Sequence, residues 1–352
     1  MANPTFTYSL NCPMPELDFD AITLGHGSGG LLTNRLLDSG VFSLFKNEKL
    51  QQRHDGVILK PKGPIAFTTD SYVVSPIFFP GGNIGDLAIN GTVNDLAMCG
   101  AKPRYLSLSF ILEEGLPLAE FWEILLTIEH AAKKARIEVV TGDTKVVDRG
   151  KGDKIFINTT GIGDVLPQGK INLKRVEAGD ALIVSHSIAH HGMAIMLERE
   201  GLKFEAPIFS DSRPVHVAVE HLIEQFGKDI KLLRDPTRGG VATVLNEICA
   251  HANLGAELYQ NALPIDAVVA SACEILGIDP LYVANEGVFI AIVKNSIAAE
   301  VVSHLAKFPG CERATIIGHM TNEHPKKVLM ESGIGGRRVI NMLAGEQLPR
   351  IC

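Results

Sequence analysis

Three apolar segments of the chain each run into an aspartate: IAFTTD at Asp70, VVTGD at Asp143 and LLRD at Asp235. A carboxylate at a strand end sits on the rim of a sheet. A group of them suits Mg²⁺, which takes one or two carboxylates, keeps some waters and leaves its other positions to phosphate oxygens. Singly, each aspartate is more commonly a turn or helix-cap residue. A second clue follows Gly85, where Asp86, Asn90 and Asn94 recur every fourth residue along a helical segment, with Asp95 beside them. A polar row on an apolar helix is usually its solvated side, but this one holds two asparagines and no lysine or glutamate, a composition suited to a site.

Two other patterns carry less. Gly25, Gly27 and Gly30 nominally spell GxGxxG, yet the preceding segment is a weak strand and no clean βαβ unit follows. The chain has no GxxxxGK[ST], so a nucleotide would bind outside the P-loop class. A glycine turn feeding a helix start can bind phosphate through backbone N–H groups, or be a plain tight turn. His186, His190 and His191 form HxxxHH, but the glutamate of a zincin helix is missing and Gly192 interrupts the pattern, so no zinc is expected.

The elements that must position these residues read as α+β, with strands and helices in mixed order. Between Pro64 and Asp164 the pattern gives strand IAFTTD, helix GDLAINGTVNDLAMCG, strand RYLSLSFIL, helix LAEFWEILLTIEHAAKKA behind Pro117, then strands EVVTGD and KIFINTTGIGD. The polar stretch LPQGKINLKRVEAGD marks a boundary near Pro167. Beyond it come strand ALIVSHS, helices over 192–200 and 214–226, KLLRDPTRGG opening the helix VATVLNEICAHA, and strands VFIAIV and ATIIGHM. We therefore expect an arm over 1–24, one domain over 25–167, a second over 168–338 and a flexible tail over 339–352. The 352 residues are enough for two cores. Charged residues at 21% and a net charge of −7, without a long basic run, argue against nucleic acid or an anionic membrane as partner. No apolar run approaches a membrane span and the first residues lack a signal-peptide layout, so a cytoplasmic protein is expected. Six cysteines without a CxxC pair suggest neither a zinc knuckle nor a disulfide framework; Cys352, on the final residue, is the exposed thiol among them.

The ordered series TTDSYVVSP, GTVNDLAMCGAKPRYLSLSFILEEGLP, VVTGDTKVV, RDPTRGGVA, ANEGVF and the closing PRIC resembles the HypE family of hydrogenase maturation factors. Their wider relatives include aminoimidazole ribonucleotide synthetase and selenophosphate synthetase. The resemblance runs from about Leu24 to Cys352; PRIC separates the family from those relatives, whereas the aspartate motifs are shared. It implies a two-domain PurM-like fold, N-terminal sheets pairing across a homodimer, and ATP and Mg²⁺ held between the domains. Asp70, Asp95 and Asp143 then match the metal-phosphate carboxylates, with Asp235 approaching from the second domain. Gly27, Ser28, Gly29 and Gly30 would close over the phosphates, and Asn94, Thr144, Thr237 and Arg238 would complete the nucleotide contacts.

Lys145 in GDTK and Glu286 in ANEG match the positions assigned to dehydration chemistry. The implied reaction converts a carbamoyl group on Cys352 to a thiocyanate at the expense of ATP, with HypF as the carbamoyl donor and the HypC–HypD complex as acceptor of the cyanide. The 16 residues after Gly336 would reach on the order of 50 Å if extended, enough for Cys352 to swing between a partner and the ATP site. Two other readings fit the same motifs: a selenophosphate-type kinase in which Cys352 is incidental, and an ATP-binding scaffold without catalysis.

Overall fold

A computed structural model describes residues 14, 19–28, 30–53, 56–202, 204, 206–342 and 350–352; Cys12, Gly29, most of the expected arm and 343–349 of the expected tail lie outside them. The first domain contains the short helices α1 (Leu31–Leu36) and α2 (Phe42–Leu44), strand β1 (Ile65–Tyr72), a small hairpin β2 (Phe78–Phe79) and β3 (Gly82–Asn83), α3 (Ile84–Met98), β4 (Ala101–Glu113), α4 (Leu118–Ala135), β5 (Glu138–Val147) and β6 (Ile155–Val165). Four of these strands form a sheet in the order β1-β6-β4-β5. Helix α4 is amphipathic, burying Phe121, Ile124, Leu125, Ile128 and Ala132 at three- and four-residue spacing. Helix α3 is buried almost all round, because it lies between the sheet and the second domain. Asn83 caps it by accepting from the Gly85 N–H at 2.8 Å, while Asp86 reaches back to the Asn83 N–H at 2.7 Å.

Alternation along the strands gives this sheet two unlike faces. Ile155, Ile157 and Thr159 of β6 are buried on the side of α3, with Leu108 of β4 on the same face; Asn158 and Thr160 of β6 and Ser109 of β4 look the other way. The second face is largely open to solvent and partly apolar, with Phe67 63% and Ile65 45% exposed.

The second domain contains β7 (Ala181–Val184), α5 (His190–Glu200), α6 (His216–Phe226), β8 (Ile230–Arg234), α7 (Gly240–Ala252), β9 (Gly255–Tyr259), α8 (Ala267–Leu276), β10 (Ile290–Val293), α9 (Ala298–Leu305), β11 (Thr315–Thr321), β12 (Val328–Glu331) and β13 (Arg337–Ile340). Its sheet has the order β13-β12-β9-β11-β7-β10-β8. Strands β7 and β10 are buried on both faces, α7 packing on one side and α6 with α9 on the other, which is why they read as unbroken apolar runs.

The polar row of α3 lies at the seam between the domains. Ser212 donates its hydroxyl to Asp86 Oδ2 at 2.9 Å and accepts from Asn90 Nδ2 at 3.1 Å. Asn94 donates to the carbonyls of Arg213 and Glu286 at 3.0 and 2.9 Å and accepts from the Val215 N–H at 2.8 Å. Both amide hydrogens of Asn94 are therefore engaged in joining the domains, and its expected place on the nucleotide is not the one the geometry gives it.

Burial raises the Asp86 carboxyl from 3.8 to about 6, so its proton is held in the folded state at a pH where the unfolded chain has lost it. The associated stability is complete below about 4 and is lost as the pH rises through about 6. An Asp86→Asn chain, which does not titrate, should gain on the parent by roughly 3 kcal/mol between those limits. Urea unfolding across that range checks it, and parallel profiles would contradict it.

Candidate active site

The last three residues of the chain dock where β1 leaves its sheet. The Val73 N–H donates to the terminal carboxylate of Cys352 at 3.1 Å and the Ser75 N–H to the Arg350 carbonyl at 3.3 Å, so backbone bonds tie the terminus to the segment after β1. Ile351 is 4% exposed and joins the core cluster that holds Tyr72 and Phe79 of the first domain and Ile195 of α5 from the second. Arg350 Nε donates to the Val73 carbonyl at 3.2 Å, and its guanidinium pairs with Asp153. The segment expected to be flexible thus ends in three seated residues.

Docking sets Cys352 among charged groups from both domains. Arg238, on the turn between β8 and α7, donates to Asp70 Oδ1 at 3.1 Å and lies beside the Cys352 side chain. Asp70 sits on β1 facing α3, and Asp95 on α3 accepts from the Thr68 hydroxyl at 2.9 Å. Asp235 lies at the end of β8. Burial first, then the charge of Asp95, pushes its carboxyl up to about 7. Burial raises Asp95 as well. Two carboxyls crowded and buried in this way favour a bound cation over their mutual repulsion, which suits a Mg²⁺ site completed by phosphate oxygens. Among the described residues no three His, Cys, Asp or Glu side chains form a metal cage by themselves.

Glu286 faces the same space. It is 3% exposed, its N–H donates to Asp211 Oδ1 at 2.9 Å, and its own Oε1 has no hydrogen-bond partner. Burial, reinforced by Asp211, Asp235, Asp70 and Asp95, pushes its carboxyl well above the ordinary carboxylate range. The following Gly287 is required because a Cβ there would stand 1.9 Å from the Asp211 carbonyl oxygen. Asn285 anchors the loop by accepting from the Ala189 N–H at 2.7 Å. The Cys352 thiol is itself pushed up to about 12, by burial first and by Glu286 second, so the docked sulfur is a neutral thiol.

The remaining expected residues lie elsewhere. Across the sheet Asp70 pairs with Thr159, Thr159 with Leu108 and Leu108 with Gly142, whereas Asp143 shares its row with Ser109, Asn158 and Ser71. Asp143 therefore projects from the open face and Asp70 from the covered one, at opposite edges of the sheet. Three strand intervals separate those edges by roughly 14 Å. Lys145 Nζ bonds Asp143 at 2.7 Å, and this pairing holds the Asp143 carboxyl below its usual range. Gly27 packs against β5, where a Cβ would fall 2.7 Å from the Val146 nitrogen, and Ser28 closes its turn on the Gly25 carbonyl at 3.0 Å. The expected residues thus fall into two groups, each about half of the set. Asp70, Asp95, Asp235, Arg238, Glu286 and Cys352 make up the first; Gly27, Ser28, Asp143 and Lys145 make up the second, and Thr144, next along β5, pairs with Phe110 and turns to the covered face.

Sequence reasoning missed Asp211, Asn285, His191 and Arg199. The three histidines of HxxxHH take separate partners: His190 pairs with Asp266 at 3.0 Å, His186 approaches Glu312 at 3.9 Å, and His191 bonds Ser210 and the tail.

Comparisons with known proteins agree with this architecture. The family model for AIR synthase related proteins matches in both parts, its N-terminal domain over residues 53–165 and its C-terminal domain over 177–331. The carbamoyl dehydratase HypE of Bradyrhizobium diazoefficiens is 46% identical over 333 residues, covering 94% of this chain and 96% of that protein. A crystal structure of hydrogenase maturation protein HypE in complex with ATP superposes with a TM-score of 0.90 at 45% identity, covering 94% of this chain and 99% of that one. A HypE–HypF complex matches with a TM-score of 0.78 at 41% identity, over 90% of this chain and all of its counterpart.

The seated thiol makes the docked state measurable. An Ile351→Asp chain cannot bury its tail, and its Cys352 should alkylate with iodoacetamide at least about tenfold faster than the parent's at mildly alkaline pH. Mass spectrometry of the C-terminal peptide follows the rate; equal rates would contradict the seating.

Proposed function

The chain belongs to the HypE family, and from that premise we propose that it is an ATP-dependent carbamoyl dehydratase of hydrogenase maturation, which works on its own Cys352. The observation that carries this reading is the seating of Cys352 between Glu286 and the Arg238–Asp70 pair. A residue held there presents a carbamoyl group to a buried carboxyl on one side and to a phosphate-binding cluster on the other.

The chemistry balances as follows. The amide oxygen of Cys352–S–C(=O)–NH₂ attacks the γ-phosphorus of ATP and ADP leaves. The phosphorylated group, C=NH₂⁺, gives up one proton to form a neutral imine; a carboxylate then removes the second nitrogen proton as the C–O bond breaks, and inorganic phosphate departs to leave Cys352–S–C≡N. ATP is needed because amide oxygen is a poor leaving group, whereas phosphate is a good one. Glu286 is the proton acceptor in this reading: its free Oε1 is buried, and cations that neutralise its acidic neighbours would bring its raised carboxyl down, so that it loses its own proton and can accept one. Arg238 orients the sulfur and offsets charge developing at the transferred phosphate. Asp70, Asp95 and Asp235 would hold Mg²⁺, which when bound neutralises phosphate charge.

Lys145, Asp143 and the glycine turn belong with the phosphates as well, yet in one chain they project from the other edge and face of the sheet. We infer a homodimer in which the open faces pair, so that the second group of one protomer completes the first group of its partner. The exposed Phe67 and Ile65 support this pairing, since they would be covered by it. The boundary near Pro167 between the two domains is kept.

The neutral docked thiol implies that carbamoyl loading takes place with the tail released. The relative's complex with HypF makes HypF the proposed donor, and the HypC–HypD complex the proposed acceptor of the cyanide bound for the [NiFe]-hydrogenase iron. No helix among the described residues is long and apolar enough to cross a membrane, and a cytoplasmic location is the reading we adopt.

Carbamoylated chains given Mg-ATP should lose one water from Cys352 in intact mass. Glu286→Gln and Lys145→Ala should each slow that loss by about a hundredfold or more while ATP still binds. When the two variants are mixed and allowed to exchange subunits, thiocyanate should reappear on the Lys145→Ala chains alone, since only they carry an intact first group. No recovery on mixing would contradict the shared site, and loss of water without ATP would overturn the dehydratase reading.

A further inference from the structure

Helix α5 of the second domain meets the docked terminus with two donors on one face, eight residues apart. His191 Nε2 lies 2.9 Å from the Ile351 carbonyl oxygen, and Arg199 donates through one terminal nitrogen to the Arg350 carbonyl at 2.5 Å and through Nε to the Ser75 carbonyl at 2.7 Å. Arg199 therefore ties the terminus to the segment it pairs with. His191 has no solvent exposure, packs edge-on against Phe79, and its Nδ1 is 2.8 Å from Ser210 Oγ. The Ile351 carbonyl can only accept, so the neutral ring carries its proton on Nε2 and Nδ1 accepts from the Ser210 hydroxyl, whose oxygen also accepts from the Ser212 N–H at 3.1 Å.

We propose that His191 and Arg199 form a latch that recognises the backbone carbonyls of Ile351 and Arg350 and so positions Cys352 for its reaction. They are positioning residues: neither touches the thiol. The latch reads backbone, while the burial of Ile351 supplies side-chain selectivity. Through Ser210 and Ser212, His191 also joins the terminus to Asp86 and Asn90 on α3, the helix that carries Asp95. The catalytic part of this inference rests on the dehydratase reading; the docking part does not.

The test reads docking without chemistry. The amides of Val73 and Ser75 are bonded by the docked terminus, so their hydrogen exchange reports its release. In Arg199→Met and His191→Phe full-length chains, exchange at these two amides should accelerate by about tenfold, toward the rate of a chain ending at Pro349, while amides of the β1–β6 ladder keep their rates. The first-order water loss from carbamoylated Cys352 should fall in parallel, with KM for ATP unchanged. Parent-like exchange at Val73 and Ser75 in Arg199→Met would overturn the latch, as would acceleration spread through the β1–β6 ladder, which marks general loosening. Should His191→Phe fail to fold, Arg199→Met alone decides. If exchange responds as expected but the parent never loses water, the dehydratase reading fails and the latch stands.

Discussion

Seating of the chain's last three residues across the domain seam is the interaction on which the site depends. Burying the Ile351 side chain contributes about 1.5–3 kcal/mol. The backbone bonds from Val73 and Ser75 and the donors His191 and Arg199 add about 0.5–1.5 kcal/mol each. Ordering three residues costs about 1–2 kcal/mol apiece for backbone alone, with side-chain entropy in addition. These opposing contributions lie within a few kcal/mol of balance, which is what a residue that must be loaded in one place and react in another requires. A far more stable dock would hide Cys352 from its donor, and none at all would leave its carbamoyl group in water.

The second constraint is electrostatic. Asp70, Asp95, Asp235, Asp211 and Glu286 converge on a small space in which the described residues offer Arg238 as a direct counterion. The raised carboxyls of Asp235, Asp95 and Glu286 express that crowding. A divalent cation with a nucleotide would relieve it, and a lysine brought by a second protomer would add to the relief. Burial first, and the charge of Glu286 second, keeps the Cys352 thiol neutral while docked, so the seat that favours phosphate chemistry also suppresses premature thiol chemistry.

Much of this was legible in the sequence. Helix α4 was read to the residue because Pro117 opens it and its apolar spacing is regular; β6 followed from alternation, and β7 and β10 from apolar runs. Asp70, Asp235 and Glu286 came from motifs. The opposite facing of Asp143 was hidden because a strand's face depends on register across neighbours, and a bulge between Leu106 and Ser107 shifts that register with no local signature. The row Asp86, Asn90, Asn94 was seen, but its partners at 210–215 and 286 lie more than a hundred residues away, so the seam it forms was not legible. His191 was weighed only as part of a zinc motif and Arg199 was not singled out, for the same reason, their partner being the chain's far end. Strand β9, helix α8 and the β12–β13 hairpin are short, and their place depends on sheet order rather than on local pattern.

The central claim is that the docked terminus presents its carbamoyl oxygen to the γ-phosphate. Oxygen-18 placed in the carbamoyl group of Cys352, followed through a single turnover with Mg-ATP, tests it most directly. The account predicts that the label appears in inorganic phosphate, in proportion to thiocyanate formed. Label recovered in water, with unlabelled phosphate, would contradict it.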